Sequence, residues 1–434
     1  MLQNQYIENK TCRKTEWKIS SSQFSKLTKN SIRAIIENLQ IEPNPDKQLI
    51  PLSIGDPTTF GNLKCPPEVV TAIKKSLDSF QYNGYAPSTG HGAARESVAA
   101  YSNKINGTSI TSNDVILCSG CSGALELCIN VLGERDKNIL VPRPGFDVYS
   151  TLAGGLGIEI RYYNLIPSKG WEIDLIDLEL QIDNNTTAIV VINPSNPCGS
   201  VYSEEHLRDI ITIAERNYVP IIADEIYEHI VFPNEKFVSM ATLSENVPIL
   251  SCSGLSKRYL VPGWRLGWIV IHDRNNLFNC EVRKSLQSVA QRINGANTII
   301  QGALPDILTN TLETFYTDLT SFLYENAKLC YDLLSRTTGL KPIMPQGAMY
   351  MMVGIEMNYF TDLLNGREFV EQLVAEQSVF CLPGECFNYP GYMRLVLTVP
   401  TELLKEACER INEFCTKHYR LKEINTIRDL DNSF

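Results

Sequence analysis

The 434 residues predict an α/β fold, with a mostly parallel central sheet flanked by helices and a smaller α+β domain beside it. Three features of the chain carry that reading. Short, continuous apolar runs stop abruptly at proline or polar residues, as strands buried on both faces do. Amphipathic stretches of helical period lie between those runs. The last third changes character, to long helical patterns with only a few short strands.

In chain order, residues 1–30 read as a polar, flexible lead-in. Ile32, Ile35, Ile36 and Leu39 then mark an amphipathic helix from Ser31, ended by Pro43 and Pro45. The sheet begins with Val115–Leu117, which leads into a helix over Gly123–Leu132. Further strands are expected at Asn138–Val141, Thr187–Ile192, Val219–Ala223, Pro248–Leu250 and Trp268–Ile271. Glu204–Glu215 places Leu207, Ile210, Ile211 and Ala214 on one side, with Ser203 as N-cap. The cluster Gly154-Gly155-Leu156-Gly157 is a poor dinucleotide fingerprint and reads as a turn. Toward the end come a helix within Thr311–Leu334, strands near Met349–Val353 and Met393–Thr398, and a helix over Glu402–His418. The expected division is a large domain over 76–325, a small one from 31–75 with 326–420, and a flexible tail over 421–434.

Composition narrows the function. Apolar residues make up 44% and charged residues 20%, a globular balance. A net charge of −10 argues against nucleic acid or an anionic membrane as partner, but leaves room for a local basic pocket. No apolar run is long enough to span a bilayer. The 13 cysteines show no regular spacing and read as free thiols of a reducing compartment. No signal core opens the chain, so the cytoplasm is the expected location, with a mitochondrial one left open. The five histidines, His91, His206, His229, His272 and His418, show no metal-ligand spacing, and no metal is expected.

Ligands of open α/β sheets bind beyond the carboxyl ends of the strands. Residues just after the runs above therefore matter most. Ser119 to Gly123 sets small residues between strand and helix, where N–H groups can cradle a phosphate; small residues also make ordinary turns there. Asp224 closes an apolar run, so its carboxylate needs a cation: a structural ion pair, or a ligand such as a protonated pyridine nitrogen. Tyr227 follows three residues on. The stretch Gly254 to Gly267 sets Lys257 among small residues, where its amine can form a Schiff base with a bound aldehyde. Arg265, eight residues later, suits bidentate phosphate binding.

That stretch, SGLSKRYLVPGWRLGW (Ser253–Trp268), resembles the lysine signature of the class I pyridoxal-phosphate-dependent aminotransferases. Within them it resembles the eukaryotic branch acting on tyrosine. SIGDPTTFGN, YNGYAPSTG, DVILCSGCSGALELC, NPSNPCGSV, ADEIY and GAMYMMVGIEM extend the likeness from about Ser31 to about Tyr419. The resemblance implies fold type I, with pyridoxal 5′-phosphate held covalently by Lys257, which then shuttles the Cα proton. It implies that Asp224 pairs with the pyridinium nitrogen. Tyr227 and Asn196 are expected on the ring oxygen, and Phe146 stacked on the ring. Arg265, Cys121, Ser122 and Gly123 match the phosphate cup, to which Ser256 or Ser253 adds a hydroxyl. Arg394 matches the clamp on the substrate carboxylate, with Gly55 and Asn196 beside it. Tyr85 matches a tyrosine reaching the partner subunit's phosphate, which implies a homodimer with shared sites. The implied reaction moves the amino group of tyrosine to 2-oxoglutarate by a ping-pong cycle, in tyrosine and phenylalanine breakdown. Other specificities (phenylalanine, alanine, kynurenine) and a non-catalytic relative are the alternatives. No residue stands out for the tyrosine hydroxyl or a second carboxylate, although Arg292 lies in a distinct loop.

Overall fold

Residues rich in valine, isoleucine and leucine supply the buried strands of the central sheet, most of which end at a charged, polar, proline or small residue. The computed structural model describes residue 17, residues 19–39 and residues 42–420. Residues 1–16 of the expected lead-in, and the whole expected tail, lie outside the described residues. In chain order the strands are β1 (Ile50–Pro51), β2 (Val115–Cys118), β3 (Asn138–Arg143), β4 (Glu159–Ile166), β5 (Glu172–Ile173), β6 (Thr186–Ile192) and β7 (Ile221–Asp224). They continue as β8 (Ile249–Gly254), β9 (Gly267–His272), β10 (Leu340–Pro342), β11 (Tyr350–Ile355), β12 (Val379–Phe380), β13 (Leu382–Pro383) and β14 (Tyr392–Val396).

Eight of them form one sheet in the order β2-β9-β8-β7-β6-β3-β4-β5. The run β8-β7-β6-β3-β4 is parallel, while β9 is antiparallel to both neighbours and β5 to β4. β2, β7 and β8 are buried at every position, which is why their sequences show no alternation. β10-β11-β14-β13 form a smaller antiparallel sheet, and β1 pairs with β12 in parallel. This is the expected α/β architecture with a mixed, mostly parallel central sheet.

Local signals explain most helices. Ser203 Oγ accepts from His206 N at 3.1 Å and starts the helix Glu204–Arg216. Asn30 caps Ser31–Asn38 in the same way, through Arg33 N at 2.8 Å. The helices Pro67–Asp78 and Thr298–Asn310 pack against each other. Both domain boundaries expected from sequence fall inside helices, Pro67–Asp78 and Glu313–Leu334.

Three local readings change. The described part of the lead-in contains a helix, Gln23–Leu27, which packs on Val148–Leu156. Gly154 and Gly155 belong to that second helix, and only Gly157 turns, as its left-handed C-cap at φ 76°. Gly155 is small for a reason: a Cβ there would stand 2.5 Å from Thr28 Oγ1 and 3.0 Å from the Phe24 ring. The strand β4 and the helix Thr298–Asn310 carried no clear signal, since β4 mixes polar with apolar residues and the helix contains Pro305. Among the described residues the cysteines are free and all but Cys65 are buried. No helix among the described residues is long and apolar enough to cross a membrane.

Candidate active site

The carboxyl ends of β2, β6, β7 and β8 open on one cavity of about 660 Å³, which Arg394 closes from the small sheet. The turn after β2 passes straight into the helix Gly120–Leu132. Gly120 takes φ +75°, and a Cβ there would stand 2.3 Å from Arg265 Nη2, so only glycine lets the guanidinium approach. Gly267 is as tightly placed, with its virtual Cβ 2.4 Å from the Gly120 carbonyl carbon. Arg265 donates to Pro262 O at 2.8 Å and to Ser119 O at 3.2 Å. A cation and the unpaired N–H groups of a helix start thus meet at one place, which favours an anion.

Asp224 ends β7 and is 2% exposed. Its oxygens accept from Tyr149 Oη at 2.8 Å, Ile226 N at 3.3 Å and the Cys121 thiol at 3.5 Å. Among the described residues no cation pairs with it, so the structural ion pair left open by sequence is not what it makes. Burial pushes its carboxyl up from the ordinary range, and the three hydrogen bonds oppose that only in part. Such a group favours a cationic ligand, and a protonated ring nitrogen fits.

Lys257 lies in a four-residue helix, Leu255–Arg258, that follows β8. Its Nζ donates to Gly55 O at 2.6 Å. Tyr227 and Tyr350 share a hydroxyl–hydroxyl bond of 2.8 Å. Burial pushes the Tyr227 phenol well up, so it stays protonated at neutral pH. Arg394, on β14, donates to Asn196 Oδ1 at 2.9 Å and Ser53 O at 2.7 Å. Its guanidinium carbon lies 4.3 Å from the Tyr350 ring centroid and 4.9 Å from that of Phe387, and its Nε has no hydrogen-bond partner among the described residues. Burial lowers the Arg394 pKa, yet guanidinium keeps its proton at any ordinary pH.

Gly55, Cys121, Ser122, Phe146, Asn196, Asp224, Tyr227, Ser256, Lys257, Arg265 and Arg394 all line this cavity. Gly123 lines a neighbouring cavity of about 380 Å³, together with Ser122, Arg265 and Arg292. Tyr85 is 89% exposed and does not line the cavity. Of the two serines left open, Ser256 lines the cavity, while Ser253 turns its hydroxyl toward Glu228. The Cys121 thiol faces Asp224. Sequence reasoning missed Tyr149 and Tyr350, which meet their partners across 75 and 123 residues of chain. It also missed the wall formed by Ile32, Arg33 and Ile36, since the helix there read only as packing.

Glu225, next to Asp224, gives a pH prediction. It is buried, bonded by Ser239 Oγ and Met240 N at 3.1 Å each, and burial pushes it up to about 7. An acid raised on folding binds more protons folded than unfolded, so its contribution to stability falls as pH rises from its ordinary range to about 7. Glu225→Gln should remove that slope, worth about 3 kcal/mol across the window. His229 and His272, lowered to about 4 by burial, slope the other way and remain in the variant. Denaturant melts of both proteins at intervals across the window measure the difference; equal slopes would refute it.

Comparison with known proteins agrees with this geometry. The family model of aminotransferase class I and II matches residues 47–411. A Mus musculus protein named tyrosine aminotransferase is 56% identical over 95% of this chain and 90% of its own. Its Homo sapiens counterpart is 54% identical over the same shares. A crystal structure of tyrosine aminotransferase from Leishmania infantum superposes with a TM-score of 0.90 at 36% identity, over 94% of this chain and all of the other. A lysine, a buried acid and two arginines around one strand-end cavity, within a match this long, lead to one conclusion: the chain belongs to the class I and II aminotransferase family.

Proposed function

We propose that the protein transfers the amino group of L-tyrosine to 2-oxoglutarate, with pyridoxal 5′-phosphate as its cofactor. The observation that carries the cofactor is Asp224, a buried carboxylate bonded by neutral donors and facing the same cavity as Lys257 and Arg265. The preference for tyrosine rests on identity of 54–56% with proteins of that name over 95% of the chain.

Lys257 would hold the cofactor covalently, Asp224 its ring nitrogen, Phe146 its ring face, and Tyr227 with Asn196 its ring oxygen. Arg265, Ser122, Ser256 and the first N–H groups of the helix at Gly120, with Cys121 and Gly123, would hold the phosphate. Bound there, the cofactor supplies a carbonyl carbon for the amino group and a ring that accepts electrons from the Cα carbanion. Arg394 orients the substrate carboxylate from a strand, so the fork is rigid, and Gly55 offers its backbone beside it. Lys257 Nζ, released from Gly55 O or from the cofactor, takes the proton from Cα and returns it at the acceptor carbon. The side walls at Ile32, Ile36, Leu125 and Phe380 keep water from that proton.

The proposed division into domains 31–75 with 326–420 and 76–325 sets Arg394 and Gly55 on one side and the cofactor-holding residues on the other. We also infer a homodimer with shared sites: Tyr85, Phe80 and Ile293 are exposed in the single chain. Ultracentrifugation should give twice the chain mass, and Tyr85→Phe should weaken cofactor affinity by about tenfold, the worth of one charge-assisted hydrogen bond; wild-type affinity in the variant would remove Tyr85 from the phosphate. The cytoplasm is the proposed compartment, testable by fractionation.

The direct test is spectroscopic. Visible absorbance of the purified, cofactor-loaded protein should fall on adding tyrosine and return with 2-oxoglutarate. Arg394→Ala should raise KM for tyrosine by roughly 10²-fold, as two charge-assisted hydrogen bonds are lost. Far faster turnover of alanine or kynurenine than of tyrosine would overturn the substrate; absence of bound cofactor would overturn the whole reading.

A further inference from the structure

Behind the site lies a charged pair that the proposed chemistry does not use. Arg258 follows Lys257 in the chain, and Glu228 follows Tyr227. The two form an ion pair with side chains only 1% and 6% exposed. Ser253 Oγ accepts from Arg258 Nη2 at 3.5 Å and donates to Glu228 Oε1 at 3.5 Å. The guanidinium carbon lies 4.6 Å from the Tyr101 ring centroid, 5.5 Å from that of Trp268 and 5.9 Å from that of Tyr259. Tyr101 bonds His229, whose ring stacks on Tyr316 at 4.7 Å. Burial lowers His229 to about 4, so it is neutral near pH 7 and adds no charge to this aromatic box.

A buried ion pair is a poor source of stability, because desolvation offsets most of the attraction and apolar residues of equal size serve as well. What it supplies is direction: each partner tolerates one geometry. The helix Leu255–Arg258 has four residues and cannot hold itself. Arg258 is its last residue, so whatever fixes the guanidinium fixes the turn carrying Lys257. Glu228 fixes the turn after β7 that carries Tyr227. We propose that the Arg258–Glu228 pair is a positioning device, holding the Lys257 amine in register with the Tyr227 hydroxyl by locking together the loops after β8 and β7. The proposal rests on the roles given to Lys257 and Tyr227 above.

The test compares Arg258→Lys, which keeps the charge but loses the planar fork, with the double variant Arg258→Met/Glu228→Leu, which leaves no buried charge unpaired. Thermal melting of the cofactor-free proteins reads the fold, and both variants should melt near the wild type. In the loaded enzymes kcat for tyrosine should fall by about 10- to 100-fold with KM within about threefold. The pH midpoint of the cofactor's visible absorbance, which reports the amine's surroundings, should move in both. A folded variant with wild-type kcat and an unmoved midpoint would overturn the proposal. So would a double variant whose kcat recovers with its melting temperature, since the pair would then be structural only. Loss of cofactor or turnover in the wild type would instead refute the reading of the site itself, so the two failures are distinguishable.

Discussion

Lys257→Ala is expected to lower turnover of tyrosine with 2-oxoglutarate by at least about 10⁴-fold, the upper range for loss of one acid–base group. The loss should fall on kcat rather than KM, because Arg394 is held by Asn196 and Ser53 without the lysine. The fold should survive. Among the described residues Lys257 Nζ makes one hydrogen bond, to the half-buried Gly55 O, and since Gly55 lines the cavity, water there can solvate the carbonyl left behind. Cofactor should still bind through the Arg265 cup, but without the visible band of the covalently held form. Added methylamine should restore part of the proton transfer while leaving KM alone. A variant with more than about a hundredth of wild-type kcat would take the proton-transfer role away from Lys257.

Asp224→Asn should have the second largest effect, a fall in kcat of about 10²- to 10³-fold, typical for removing a preorganised electrostatic partner. Asparagine keeps the size, its one oxygen can still accept from Cys121 and Ile226 N, and its amide N–H can donate to the Tyr149 hydroxyl, so the loss would be one of charge. The sign of the stability change is the sharper test. Burial raises the Asp224 carboxyl, so an ionised Asp224 without a cationic ligand costs the fold stability that is regained as pH falls. The cofactor-free variant should therefore melt at or above the wild type near pH 7, while the loaded variant should lose the stabilisation that ligand binding confers. Melting curves with and without cofactor check both. A cofactor-free variant that melts far below the wild type would mean that Asp224 serves structure first.

The site was legible in sequence to the extent that its residues sit at strand ends. Asp224 stood out because an acid closing an apolar run must be answered by something, and Lys257 because a lysine among small residues is set close to a ligand. The resemblance of the Ser253–Trp268 stretch then supplied roles that spacing alone does not contain. Tyr149 and Tyr350 were not legible, because their hydroxyls act on partners brought near only by the sheet order. The fold followed the same rule. Strands buried on both faces were visible as apolar runs, whereas β4, with polar residues interleaved, and Gln23–Leu27, a five-residue helix, were not. Of the turn expected at Gly154–Gly157 only Gly157 bends the chain, while Gly154 and Gly155 end a helix, where Gly155 makes room for Thr28 and Phe24.

By itself the sequence determined the α/β class, the strand ends and the acid, lysine and Arg265 set close to them, since period, burial and turn chemistry are local properties. Tertiary structure alone decided what answers each charge: that Asp224 meets only neutral donors among the described residues, that Arg394 is aimed from a second sheet, and that Arg258 is matched by Glu228. The physical reason is that a buried charge is set by its surroundings within a few ångströms, and those surroundings come from segments far apart in the chain.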